Sequence, residues 1–558
     1  MVRFLVLIHL SVFSPVMAAP HLPVIYHVAC QNPNASDDKA ATGTEINPFK
    51  SIGRALRNVH PGDVVIIHQG IYREGAELTT SGTASFPITI KAAENERVIM
   101  RGSQLVTSWE RRSDGLFIHN GWPYYFGSWK EPVKDGRDAA RNQLYVNGRY
   151  IEEVRNEQDL KENTFFIDKN SRQIFLKLNT KDNPLSDSIE VSNREYCLSI
   201  RAEYIVVRGI HVEYGANGPQ KNAMFRVAGD HNRIENCSVE WAAGSGFSLK
   251  GKNNLIRNCK FNHNGQIGFG CSFSENCLFE NCETSYNNLH DGKTYSVDWE
   301  AGGNKVALSR SVNFFRHTSV GNNGVGIWYD ISNDSCEVAN CFAQGNSRCG
   351  LAYEISYRLY AHDNVMIGNG LIPPPGSWGA DGGISVSSSP GCVIERNILI
   401  NNGEGFQFRE QNRETYDMGD WSSGNLKSLN KIPVWNHDEI IRNNIIAYNR
   451  TAQVGGWFDI SDGRHWPAAI RQILPGNENS ISPVMEYLNK HDTVSQDIVP
   501  ITLESLNIII DNNCYWDGGV NNILFRWGVT WKYNRKYRPV KPLLESINLI
   551  IAIIKSSI

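Results

Sequence analysis

The chain has 558 residues, a formal net charge of −3 and 20% charged residues. That length can bury a large core, in one long domain or in several ordinary ones. The near-neutral balance gives no electrostatic footing for nucleic acid or an anionic membrane surface, and 48 glycines favour tight turns over long helices.

At the start, Met1-Val2-Arg3 precede an apolar run over residues 4–16, then Met17-Ala18-Ala19-Pro20. A basic start, a short apolar core and small residues before a proline predict a signal peptide over residues 1–19. The protein is therefore expected to be secreted or periplasmic. This run and the apolar stretch at 547–554 are both shorter than a bilayer span, so no membrane span is expected after cleavage.

Residues 20–105 read as an N-terminal cap with the first coils of a solenoid. Ile25-Tyr26-His27-Val28 and Val64-Val65-Ile66-Ile67-His68 are strands. Between them, Asn47-Pro48-Phe49 leads into a short amphipathic helix with Phe49, Ile52 and Leu56 on one face. Pro61-Gly62-Asp63 makes a turn and Gly70-Ile71-Tyr72-Arg73-Glu74 follows. This ordered series resembles the entry of secreted right-handed parallel β-helix proteins, the pectate-lyase-like superfamily. The resemblance implies the fold and says little about a substrate.

Over 106–191 the rhythm breaks into a small β-rich insertion. The aromatic cluster Trp122-Pro123-Tyr124-Tyr125-Phe126 is read there as packing, with a sugar platform as the alternative. From 192 to 450 repeats are overt: Ile234-Glu235-Asn236-Cys237, Ile256-Arg257-Asn258-Cys259 and Phe279-Glu280-Asn281-Cys282 recur every 22 to 23 residues. Val338-Ala339-Asn340-Cys341, His362-Asp363-Asn364-Val365, Glu395-Arg396-Asn397-Ile398 and Arg442-Asn443-Asn444-Ile445 continue them. A period in the low twenties with β-branched residues and Asn turns predicts one coil of a parallel β-helix per repeat. The repeated Asn is expected to form an internal ladder. Cys237, Cys259, Cys282, Cys341 and Cys514 are expected to share one buried position, as core thiols, with one or two disulfides left open. The fold expected is thus all-β, a right-handed parallel β-helix. Residues 451–558 hold late coils, a helix near 483–490 and a C-terminal cap.

One motif occurs twice. Val325-Gly326-Ile327-Trp328-Tyr329-Asp330 and Cys349-Gly350-Leu351-Ala352-Tyr353-Glu354 place Asp330 and Glu354 at the same point, 24 residues apart. Strand alternation puts Ile327 and Tyr329 on one face and Trp328 and Asp330 on the other. Neighbouring coils are about 4.8 Å apart, so the two carboxyl groups are expected about 5 Å apart, the separation of retaining glycosidases. Like charges that close share a proton. Ladder residues or calcium ligands are the competing reading. Trp328, Lys305, Glu300, Trp299, Arg409 and Glu410 are candidate substrate-binding residues around the acids. Long loops carrying Trp299 and Trp421 are expected to wall a cleft, and His317 and His362 to be structural. No metal or cofactor is assigned, with calcium left open, and a monomer acting on a carbohydrate is expected.

The acids on consecutive coils, the cap and the insertion resemble the β-xylosidase family of parallel β-helix glycosidases. That resemblance implies Asp330 as nucleophile and Glu354 as general acid/base. The wording around Glu354 departs from the family, and the segments around Trp299 and Glu354 look more like the large group of uncharacterised secreted β-helix proteins. A polysaccharide lyase with Lys305 or Arg409 as base, and a non-catalytic carbohydrate-binding solenoid, stand as alternatives.

Overall fold

The computed structural model describes residues 21–129, 139–179, 183–184, 187–219, 222–289, 295–297, 299–371, 382–411, 413–417, 429–458, 503, 506–517, 523–529 and 533–537. The signal peptide, Trp421, the helix near 483–490 and the apolar stretch at 547–554 lie outside these residues. No helix among those described is long and apolar enough to cross a membrane.

Each coil contributes three short strands. Val325–Asp330, Glu337–Ala339 and Phe342–Gln344 make one turn. Leu351–Glu354, Tyr360–His362 and Val365–Ile367 make the next. Every strand pairs in parallel with its counterpart, as in Ile327 with Leu351, Val338 with Ala361 and Ala343 with Met366. The inward residues of all three rows, among them Phe269, Phe279, Ile327, Val338 and Leu351, form one continuous core. A coil alone could not cover these side chains; stacking removes them from water at about 25 cal/mol per Å² of apolar surface. The chain is a parallel β-helix.

In the cap, Ile25–Val28 pairs in parallel with Val64–Ile67. The helix Ile52–Leu56 starts at Ser51, whose hydroxyl accepts from the Arg54 amide. The Glu74 carboxylate also accepts from Ile52 and Gly53 amides at 2.8 and 2.9 Å, which suits the positive end of a helix. An eight-stranded sheet from Ser103–Leu105 to Ile189–Ser192 carries its own core, with Trp109, Trp122, Phe165 and Ile174. Trp122 is a core residue there, whereas Tyr124 and Tyr125 remain exposed.

Two positions, not one, underlie the repeated Asn. Asn236, Asn258, Asn281 and Asn340 are exposed turn residues with φ of 52 to 55°, a conformation that asparagine tolerates better than most residues. Asn364, Asn397 and Asn444 sit one residue later, in the interior position that Cys237, Cys259, Cys282 and Cys341 occupy in earlier coils. There, Asn364 donates to Asn397 Oδ1 and Asn397 to Asn444 Oδ1, at 2.9 and 3.0 Å. The turn and interior residues are neighbours in the chain, so the repeat of Asn alone does not separate the two positions. Cys514 likewise departs from the thiol row: Asn513 holds the interior position, and Cys514 pairs with Ile445. All twelve cysteines are free thiols.

A second ladder, unread in the sequence, runs along another turn through Asn264, Asn287, Asn322, Asn346, Asn369, Asn402 and Asn449. Each side-chain amide donates to the next Oδ1 at 2.8 to 3.2 Å. This ladder dictates the glycines that open the site strands. A Cβ on Gly326 would lie 2.7 Å from Asn346 Nδ2, and one on Gly350 2.9 Å from Asn369 Nδ2.

Candidate functional site

On Val325–Asp330, Ile327 and Tyr329 are wholly buried in the core, and the Tyr329 hydroxyl donates to Val312 O at 2.8 Å. Trp328 and Asp330 face the other way. The next strand repeats the split, with Leu351 and Tyr353 inward, and Asp330 is in direct register with Glu354. Although outward-facing, Trp328 and Asp330 are only 8% and 6% exposed.

Flanking strands supply one cation to each acid. Lys305, from Gly302–Ala307, sits in register with Trp328. Its Nζ lies 2.8 Å from Asp330 Oδ2, 3.1 Å from Glu300 Oε1 and 4.4 Å from the centre of the Trp328 ring. On the other side, Arg409 belongs to Glu404–Glu410. Its Nη2 is 2.7 Å from Glu354 Oε2, and its Nε donates to Ser387 Oγ at 2.8 Å. Ser387 pairs with both Glu354 and Arg409. The order across the sheet is therefore lysine, aspartate, glutamate, serine, arginine.

This order separates the two carboxyl groups chemically. Burial, and then the Asp330 charge, push Glu354 above the ordinary glutamate value, against the pull of Arg409, Arg413 and Lys305. For Lys305, burial alone would favour the neutral amine, but Asp330 and Glu300 outweigh it and hold the ammonium above the ordinary lysine value. Asp330 Oδ1 is buried and accepts no hydrogen bond, leaving one carboxylate oxygen unspent.

The candidates do not all meet. Asp330, Glu354, Trp328, Lys305, Glu300 and Arg409 form one cluster. Lys305 covers a face of the Trp328 ring, so that face is not open for stacking a sugar. Trp299 packs on Tyr295 in its own loop, ring centres 5.8 Å apart. Glu410 belongs inside the coil, not on the site face: it is fully buried, and its Oε2 accepts from the Asn436 amide at 2.7 Å. Strand alternation gives the reason, since neighbours Arg409 and Glu410 cannot share a face. His317 is wholly buried beside Thr284, and burial pushes its pKa down to about 3.

Three features went unread. Ser387 joins Glu354 to Arg409, and strand alternation could have placed it. Ser385 donates to Gln407, Gln407 donates to Glu404, and Glu404 pairs with Arg526, a buried polar chain one row from the acids. The hairpin of Arg413–Tyr416 and Lys431–Val434 lies over the end of the acid strands. There Thr415 Oγ1 donates to Ile355 O at 3.1 Å and Tyr416 N to Ser332 Oγ at 2.8 Å. Away from the site, His21, His60 and Asp63 bring three potential metal-ligand atoms within 4.8 Å. Asp63 already closes the cap turn, accepting from Val24 and His60 amides at 2.8 Å each.

A family model described as a right-handed β-helix region matches residues 223–373. In structure, the chain is similar to XylC solved with xylose, with a TM-score of 0.63 and 18% identity over 88% of this chain and 86% of that one. The chain has the right-handed parallel β-helix fold. Two curated relatives share short segments with this β-helix. The uncharacterized protein YwoF of Bacillus subtilis (strain 168) is 34% identical over 89 residues, 16% of this chain. Pectate lyase PEL9 of Emericella nidulans is 37% identical over 76 residues, 13% of this chain. The matched segment spans 18% of the length of each relative.

Proposed function

We propose that this β-helix is a secreted carbohydrate-active enzyme, a retaining glycoside hydrolase in which Asp330 is the nucleophile and Glu354 the general acid/base. The observation that carries the reading is the direct register of Asp330 with Glu354 between Lys305 and Arg409. Adjacent parallel strands stand about 4.8 Å apart, close to the separation at which a carboxylate reaches the anomeric carbon itself rather than through a water. Lys305 stabilises the Asp330 anion that attacks. Half-buried beside that anion, Glu354 is biased to hold the proton it gives to the leaving oxygen, and the carboxylate this leaves can take a proton from the incoming water. XylC, solved with xylose, has a similar fold.

The lyase alternative needs a neutral base. Lys305, held by two carboxylates, is kept protonated and is poorly suited to that task. A lyase also leaves an unsaturated product that absorbs in the near ultraviolet, which a hydrolase does not. Proton NMR of the first product formed from aryl glycosides and plant or algal oligosaccharides is the test. The expected product keeps the anomeric configuration of the substrate. An inverted anomer, or ultraviolet-absorbing product, would overturn the assignment.

A further inference from the structure

We propose that His21, His60 and Asp63, in the N-terminal cap, form a zinc site that latches the first strand of the stack. The inference stands apart from the reading of Asp330 and Glu354 and needs neither residue.

Local structure brings the three side chains together across 42 residues of chain. Pro61-Gly62-Asp63 turns with Gly62 at a φ of +94°, and the Asp63 amide donates to His60 O at 3.1 Å. That turn sets His60 and Asp63 side by side just ahead of the strand Val64–Ile67. Parallel pairing of Ile25–Val28 with this strand carries His21 to the same turn, and the Val64 amide donates to Val24 O at 2.9 Å.

Asp63 is the anchor. It is wholly buried, and a backbone amide fixes each carboxylate oxygen, Val24 on Oδ1 and His60 on Oδ2, at 2.8 Å each. The two imidazoles are exposed, with ring centres 4.6 Å apart. His21 Nε2 lies 2.7 Å from Asp63 Oδ1, whereas His60 Nδ1 is 3.8 Å from Oδ2, beyond hydrogen-bond reach. A hydrogen bond therefore accounts for the His21 ring and does not extend to the His60 ring. Protonating both rings would set two like charges side by side. One divalent cation satisfies all three donors at once.

The dimensions agree with a metal. Ligand bonds of about 2.0–2.2 Å at tetrahedral angles place the ligand atoms about 3.4 Å apart. The observed 2.7 and 3.8 Å lie on either side of that value, so rotation of two exposed rings completes the site around a carboxylate that stays in place. Two nitrogens and one carboxylate suit zinc, whereas calcium and magnesium take oxygen ligands. The consequence is mechanical. Ile25–Val28 is the first strand of the chain, and coordination ties the residues leading into it to the turn that precedes the next strand. A metal held only by the folded state stabilises that state.

Zinc chloride alone, titrated by calorimetry into the untagged, chelator-treated protein, is the probe. One equivalent is expected to bind with a Kd on the order of 1 μM or tighter. His21→Gln and His60→Gln should each weaken binding by more than about 100-fold, beyond the loss expected for a residue that only supports a ligand. His60→Gln is the cleaner arm, because its side chain is 61% exposed and its backbone amide still holds Asp63. His27→Gln is the control: His27 belongs to a second imidazole pair of the cap, 3.0 Å from His68, and its loss should leave the affinity unchanged. Hydrogen exchange reads the latch. Zinc should slow the amides of Ile25–Val28 in the wild type and leave them unchanged in His60→Gln. A Kd weaker than about 100 μM, binding retained in His60→Gln, or binding lost in His27→Gln would overturn the site. Binding without slower exchange in Ile25–Val28 would overturn the latch.

Discussion

The same coils bury polar groups in two ways. In the asparagine ladder every hydrogen-bonding group is used: Asn346 donates to Ser319 O and Asn369 Oδ1 and accepts from both amides of Asn322. On the outer face of the same strands, charges pair across the row, but Asp330 Oδ1 accepts nothing and Glu354 is held towards its neutral form. The ladder leaves nothing over for a ligand and can only hold coils together. The charged row leaves one carboxylate oxygen unpaired and biases one acid towards its protonated form, the two properties that the proposed nucleophilic and acid–base roles need.

The sharpest break between the two comes from Asp330→Asn. It keeps the shape of the side chain and removes the anion. Turnover of a cleaved glycoside should drop on the order of 10⁴-fold, about 5 kcal/mol of barrier, while the melting temperature stays near that of the wild type. Steady-state rates alongside a thermal melt check both halves. A ladder substitution should do the reverse. Asn346→Leu removes the acceptor of the Asn322 backbone amide and one bond each from Asn322 Nδ2, Ser319 O and Asn369 Oδ1, at about 1–3 kcal/mol for a buried group left unsatisfied. A loss of about 3 kcal/mol or more is expected in urea unfolding.

Glu439 belongs to neither class. It is wholly buried, both oxygens lack hydrogen bonds, and burial followed by the Glu410 charge pushes its pKa well above the ordinary carboxylate value. Its neighbours across the sheet are Cys392 and Ile508. Because the folded value is raised, the contribution of Glu439 to stability is fully present below the unfolded value of about 4.3 and is lost as pH rises through the folded value. Glu439→Leu should therefore stabilise the protein at neutral pH, by about 1–3 kcal/mol, and flatten the fall of stability above about pH 4.3. Denaturant titrations at a series of pH values would show it.

The smallest effect is a shift in a pH profile. Arg409 pulls the Glu354 pKa down, so Arg409→Gln should move the alkaline limb of kcat/KM to higher pH, because Glu354 then keeps its proton longer. An unmoved limb would mean that Glu354 is not the group titrating.

What the sequence determined by itself follows from local rules applied coil after coil. A period in the low twenties required stacked strands, since no single coil can bury Ile327, Tyr329, Leu351 and Tyr353. Strand alternation then put Asp330 and Glu354 outside on equivalent positions, and two copies of one motif placed them side by side. Other features depended on contacts across long and unequal stretches of chain. Arg409 reaches Glu354 over 55 residues and Ser332 meets Tyr416 over 84, and the loops between them obey no period. Only the sheet pairing could decide that Lys305 and Arg409 each hold a different acid, and that Glu410 turns inward. Only the docking of the hairpin could bring Arg413 to the site. Register within a repeat is written in neighbouring side chains; the choice of partner across a variable loop is settled by burial and charge once the coils have closed.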